Sequence, residues 1–223
     1  DDRAEARTYL VADRGSAKAV IIDAVIENLE RDCKTIRDLG LTLLFALETH
    51  VHADHITGAS QIKERTGARI VYGGSAKGVV IGADIFLFDG ETLLVGDTSI
   101  QGIATPGHTD CCTSYVVPGA VFTGDTLFIG GNGRTDLQGG SAETLFDSVR
   151  RKLFALPDDT TVYPGHDYNG RVSSTIGEEK QWNERLNRSI SKAAFVEMMN
   201  ARKVPLPAKM SIAVPANMRA GRI

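Results

Sequence analysis

Cysteine is scarce in this chain of 223 residues: Cys33, Cys111 and Cys112 are the only three. An odd count with two of them adjacent is no disulfide framework and points to a reducing compartment. Long apolar runs are also missing. None approaches the ~20 residues that cross a bilayer, so no membrane association is expected. The opening DDRAEARTYL is polar and lacks the apolar core of a secretory signal, and it does not begin with Met, which is compatible with a start inside a longer natural chain. Charge of one sign is nowhere concentrated. The 25 basic and 28 acidic residues are spread evenly, for a net charge of −3, which leaves no basic groove and makes nucleic acid an unexpected partner. Internal repeats and low-complexity linkers are absent as well. With 42% hydrophobic and 24% charged residues, the remaining profile is that of a globular domain able to bury a sizeable core. One domain over residues 1–223 is expected, with a helical and Pro-rich C-terminal extension from about residue 171.

The first half alternates strand and helix signals. KAVIID (18–23) reads as a buried strand, and Val25 to Leu39 carries Ile26, Leu29, Cys33 and Ile36 on one helical face before Gly40. TLLFAL (42–47) is the next strand, followed by a short helix from about Gly58 to Thr66 and the strand RIVYG. From Asp84 to Ala104 the Asp-Gly and Gly-Asp turns predict antiparallel hairpins. SYVV and AVFTGD flank a turn at Pro118-Gly119. Ser141 is a candidate N-cap for a helix whose inner face is Leu145, Phe146, Val149 and Leu153. TTVYPGHD is a last strand, with helical sequence and a Pro-rich tail beyond it. This order predicts layered sheets covered by helices.

Only five histidines are present, and three of them crowd into THVHADH (49–55). His50, His52, Asp54 and His55 follow the strand TLLFAL, His108 follows a strand ending near Ala104, Asp125 ends AVFTGD, and His166 follows TTVY. Taken alone, a buried histidine is more often a hydrogen-bonded core residue than a ligand. Five of them, all placed just after strand ends, have no such bland explanation. Loops at the ends of rigid strands are where catalytic groups collect. Imidazoles and carboxylates together suit zinc, iron or manganese, and no pair of thiolates is spaced for a structural zinc site. Cys112 is expected to pack inside and Cys111 to lie in a loop.

HVHADH, GHTD, FTGD and PGHD, in that order, resemble the metallo-β-lactamase superfamily across most of residues 8–170. The resemblance implies an α/β fold, an αββα sandwich with a metal site at one edge between the sheets. Counting ligands alone favours a dinuclear zinc hydrolase of the glyoxalase II type, a hydroxyacylglutathione hydrolase. In it His50, His52 and His108 would hold one metal, Asp54, His55 and His166 a second, and Asp125 would bridge them. GNGRTDLQGG (131–140), YPGHDYNG (163–170) and AVPANMR (213–219) instead resemble the persulfide dioxygenase family.

That second resemblance implies oxidation of glutathione persulfide with O2 to sulfite and glutathione, at one Fe(2+) per chain held by His50, His108 and Asp125. His52, Asp54, His55 and His166 would then orient ligands or substrate. Arg134, Tyr168 and Arg219 would contact the glutathione part. A homodimer is suggested, located in the cytoplasm if the chain is bacterial and in the mitochondrial matrix if it is a cleaved eukaryotic one. A third reading is a non-catalytic, metal-stabilised sulfur-binding scaffold. Metal content separates the three: one iron, two metals, or none.

Overall fold

In the computed structural model, which describes residues 6–223, the chain opens with an antiparallel pair, β1 (Tyr9–Ala12) and β2 (Lys18–Ile22). A 3-10 turn at Ile26–Asn28 leads into α1 (Leu29–Asp38), followed by β3 (Thr42–Leu47), α2 (Ala59–Thr66), β4 (Arg69–Gly73) and β5 (Ile85–Leu87). The strands β1 to β5 form one sheet in chain order, parallel except for β1. Parallel neighbours need crossovers, and α1 and α2 supply those between β2, β3 and β4.

Pleating sends alternate side chains to opposite faces. Val20 and Ile22 of β2 and Phe45 and Leu47 of β3 enter a core between two sheets. Ala19, Ile21 and Ala46 pack instead with Leu29, Cys33 and Ile36 of α1 and Ile62 of α2. Both faces are buried, so these strands read as unbroken apolar runs rather than alternating ones.

The second half builds the other sheet. Its elements are β6 (Thr92–Val95), β7 (Thr98–Ala104), β8 (Thr113–Val117), β9 (Ala120–Gly124), α3 (Ala142–Arg151), β10 (Thr161–Pro164) and β11 (Ser174–Thr175). The strand order is β11-β10-β9-β8-β7-β6. Ile100, Tyr115 and Phe122 face the first sheet, while Val121 and Val162 pack outward against Leu145, Phe146 and Val149 of α3. The helices α4 (Ile176–Trp182), α5 (Lys192–Ala201) and α6 (Met210–Asn217) follow, and Phe195 and Met199 of α5 join the α3 cluster. The layers are therefore helix, sheet, sheet, helix, as the resemblance implied. Ser141 caps α3 as expected, its hydroxyl accepting from the Thr144 amide at 3.2 Å.

Two expectations change. β5 is no hairpin arm: it pairs in parallel with β4, held there by Asp84, which accepts the Ile70 amide on its side chain and donates its own amide to Ile70 O. The Asp89-Gly90 turn therefore carries the chain from one sheet to the other, and the antiparallel hairpin closes at Gly96-Asp97, between β6 and β7. The proline-rich stretch is not a tail either. Pro205 and Pro207 lie between α5 and α6, and Pro215 is inside α6.

Strand direction gathers the site. β7 and β9 are both antiparallel to β8 and so run the same way, and β10 runs parallel to β9. The loops after β7, β9 and β10 consequently emerge at one edge. Gly124 closes β9 in the left-handed region (φ 50), where a Cβ would lie 2.4 Å from Thr49 Oγ1 of the histidine loop. Gly107, just before His108, has φ 140, and a Cβ there would meet the Leu145 backbone nitrogen of α3 at 2.3 Å. Helix backbone cannot move aside as a side chain can. Gly107→Ala is expected to cost about 2 kcal/mol or more in urea unfolding, through combined strain and overpacking. An unchanged midpoint would show that the loop has another conformation available.

Candidate metal centre

The β3 loop begins by satisfying its own backbone. Asp23, at the end of β2, accepts the Thr49 amide on Oδ1 at 2.7 Å and the Thr49 hydroxyl on Oδ2 at 2.8 Å. Asp23 has φ 51, a left-handed conformation that Asp tolerates better than most residues. With its proton given to Asp23, the Thr49 hydroxyl can only accept from His50 Nδ1, 2.9 Å away. That leaves the lone pair of His50 Nε2 free. Burial, then the neighbouring His52 and His108, press the His50 pKa well below the usual imidazole value, so its ring is neutral.

His108 follows the same logic. Its Nδ1 donates to the carbonyl oxygen of Arg134 at 2.8 Å, which frees Nε2. Asp125 accepts from His166 Nδ1 on Oδ1 at 2.8 Å, and its Oδ2 lies 3.6 Å from His108 Nε2. One ligand atom from each of His50, His108 and Asp125 falls within 4.8 Å of the others. Two imidazole nitrogens and one carboxylate, each oriented by a bond from its other atom, form a donor set that fits a divalent first-row metal.

His52 is drawn elsewhere. Its Nε2 lies 3.1 Å from Asp23 Oδ1 and 3.3 Å from Glu48 Oε2, and it is not grouped with His50 and His108. Among the described residues His52 groups with Asp23 and Glu48, and with Asp54 and His55, rather than with His50 and His108. Burial opposes charge on His52, but Asp23 and Glu48 outweigh it and raise its pKa well above the ordinary value. Asp54, His55 and His166 make a second network. Asp54 Oδ2 is 2.9 Å from His55 Nδ1 and 3.2 Å from His166 Nε2. Burial works against the Asp54 and Asp125 carboxylates, yet their histidine partners hold both well below the usual carboxylate range. His166 is raised in turn, because Asp125 and Asp54 together overcome its burial. Ligand atoms of His52, Asp54 and His55 also fall within 4.8 Å of one another, and His52 Nδ1 and His55 Nε2 are buried without a partner.

The other end of the chain closes this loop. Asn217 of α6 is fully buried; its Nδ2 donates to His52 O and His55 O at 2.8 Å each, and its Oδ1 accepts from the Thr57 amide. Gln138 donates to Val51 O at 2.8 Å. Asp23, Glu48, Thr49, Gln138 and Asn217 all escaped the reading by ligand type, since none follows a histidine motif in a way that marks it. Cys111, expected in a loop, is as buried as Cys112, and burial raises both thiols. Both sulfurs lie beside the Thr109 hydroxyl.

The centre opens onto a cavity of about 600 Å³ that reaches Asp54, His108, Asp125 and His166. Tyr168 lines it, 69% exposed, its ring parallel to that of His166 with centroids 6.0 Å apart. Arg134 lines it too, but its guanidinium is already engaged. It donates to both carboxylate oxygens of Asp136 at 2.7 and 2.8 Å, and to the carbonyls of Pro205 and Val204. The planar fork expected to grip a substrate carboxylate instead pins the proline segment across the cavity. Arg219 is exposed at the end of α6 and lines neither this cavity nor the one beside it. The helix before it, α6, braces the histidine loop from the far side through Asn217.

Comparison with known proteins agrees with this architecture. Residues 4–79 and 73–166 match the family described as the metallo-beta-lactamase superfamily. The human protein named persulfide dioxygenase ETHE1, mitochondrial, is 43% identical over 217 residues, covering 96% of this chain and 84% of that one. A probable metallo-hydrolase of Burkholderia pseudomallei is 35% identical over 263 residues, covering 97% of this chain and 89% of the other. The crystal structure of ETHE1 from Myxococcus xanthus superposes with a TM-score of 0.95 at 43% identity, over 99% of this chain and 96% of that one.

The Asp23 clasp makes a measurable demand. Asp23→Ala leaves the Thr49 amide and hydroxyl without their buried acceptor and His52 with Glu48 alone. A stability loss of about 3–5 kcal/mol is expected in denaturant unfolding. Metal affinity, read by chelator competition, is expected to fall about 10- to 100-fold as His50 loses its orientation. Full affinity in the folded variant would show that Asp23 does not orient the site.

Proposed function

The chain belongs to the metallo-β-lactamase superfamily and, within it, to the persulfide dioxygenase family, and from that premise we propose that it oxidises glutathione persulfide with O2, yielding sulfite and glutathione, at one iron(II) per chain held by His50, His108 and Asp125. The observation that carries this reading is the engagement of His52 with Asp23 and Glu48, apart from the grouped donors His50, His108 and Asp125, of which His108 and Asp125 line the cavity. Iron(II) held by His50, His108 and Asp125 would supply open coordination positions for a persulfide sulfur and O2.

The chain's own residues do the rest. His50 is kept neutral and aimed by Thr49, and Asp125 is kept ionised by His166. His166 carries a proton on each ring nitrogen, one toward Asp125 and one toward Asp54. Phe128 and Tyr168 flank the His166 ring and form an aromatic wall of the cavity. Holding two reactants together at one centre supplies the proximity that a bimolecular reaction in water lacks.

A dinuclear thioesterase of the glyoxalase II type is the second reading. It is favoured by the His52–Asp54–His55 grouping with its two unpartnered buried ring nitrogens, and by the hydrolase name of the relative at 35% identity. The greater identity to persulfide dioxygenases weighs against it. No helix among the described residues is long and apolar enough to cross a membrane, and the human relative is named as mitochondrial. For this chain the cytoplasm, or the mitochondrial matrix for a cleaved eukaryotic form, and a homodimer complete the proposal.

Two measurements separate the readings. Protein purified without added metal is expected to hold one iron per chain, and His50→Ala, His108→Ala or Asp125→Ala to lose both iron and oxygen uptake. Two metals per chain would favour the hydrolase. With glutathione persulfide the protein is expected to consume O2 and release sulfite, while S-lactoylglutathione remains intact. Fast thioester hydrolysis without oxygen uptake would replace the dioxygenase reading.

A further inference from the structure

A second, smaller cavity of about 230 Å³ adjoins the first, and the two share Phe128, Asn132, His166, Tyr168 and Arg202 as walls. Five arginine and lysine side chains line the pair. Three already have carboxylate partners: Arg134 with Asp136, Arg171 with Asp167, and Lys209 with Glu27. Arg185 and Arg202 have none among the described residues. Arg185 donates to the carbonyl of Asn132 at 3.1 Å, while Arg202 Nη1 is buried with no hydrogen-bond partner at all.

These two guanidiniums are neighbours of like charge. Burial, and then Arg202, lower the pKa of Arg185, and the weaker opposing influence of Glu184 does not cancel them. An unpaired buried N–H on a permanent cation beside a second cation costs free energy unless an anion arrives. The arrangement is also held in place. Arg202 caps α5, and the next residues are fixed by Arg134, which grips the carbonyls of Val204 and Pro205. Arg134 thus acts through the segment that carries Arg202.

We infer that Arg202 and Arg185 form a carboxylate subsite, reached through the cavity of the metal centre, that takes a carboxylate of the substrate's peptide part. This rests on the glutathione reading above and moves the anion-binding role from Arg134 to residues that no motif marked. The guanidinium fork suits a carboxylate because two parallel N–H groups meet two oxygens.

Calorimetric titration with S-methylglutathione tests it apart from turnover. Against the wild-type protein, Arg202→Ala is expected to weaken binding by about tenfold or more, the loss of a charge-assisted hydrogen bond. Arg202→Lys recovers part of it. S-methylglutathione with both carboxylates esterified is expected to bind the wild type and Arg202→Ala alike. In oxygen-uptake assays the loss falls on KM for glutathione persulfide rather than on kcat, with metal content unchanged. Arg202→Gln and Arg185→Gln, which keep the stems, serve if the alanine variant folds poorly. Equal S-methylglutathione affinity in the folded Arg202 variants, an equal loss for the diester, or no binding to the wild type would overturn the subsite. Binding through Arg202 in a protein that oxidises no persulfide would keep the subsite and overturn the dioxygenase reading. Persulfide oxidation with unaltered Arg202 kinetics would do the reverse.

Discussion

The Asp23 carboxylate, at the tip of β2, receives the amide and hydroxyl of Thr49 and faces His52 Nε2, and the rest of the site is arranged around that engagement. A loop carrying three histidines and an aspartate has many polar groups and little room. Each imidazole presents a free nitrogen to a metal only when its other nitrogen is spoken for. Asp23 settles this for His50 through Thr49, and draws His52 Nε2 to itself at the same time. One carboxylate thereby holds the two histidines in different hydrogen-bond networks.

The same economy of charge runs through the whole centre. Asp23, His52 and Glu48 form one carboxylate–imidazole–carboxylate chain, and Asp125, His166 and Asp54 another. Isolated, each of these buried groups would lose its charge to desolvation. In alternation the carboxylates are held ionised against burial at Asp54 and Asp125, and the imidazoles are held charged at His52 and His166. Glu48, at the fully buried end, is the member that burial wins, and its pKa is raised.

Distant parts of the chain finish what the strands begin. Asn217 reaches back to His52 and His55 across some 160 residues of sequence, and its three hydrogen bonds supply partners that a tight, buried loop cannot find within itself. On the cavity side, Arg134 ties down the proline segment between α5 and α6 and with it the backbone beside Arg202. The metal centre and the substrate cavity are thus closed by the same C-terminal third, from opposite sides.

The amino-acid sequence by itself determined most of the strands, from β2 to β10 but not β1 or β11, and the metal-ligand types. Apolar runs such as KAVII and TLLFAL can satisfy their backbones and bury both faces in only a few ways, and His or Asp just past four strand ends is a local pattern. The expected αββα layers followed from those elements and from the resemblance of the motifs. It did not determine partners. Whether β5 joins β4 or a hairpin depends on the Asp84 bond to Ile70, and whether the Arg134 fork is free or filled depends on Asp136 and on carbonyls some 70 residues away. Only the tertiary structure decided these, because a hydrogen bond is specific to the few ångströms and the angle at which two groups meet, and residue type and spacing along a chain carry neither.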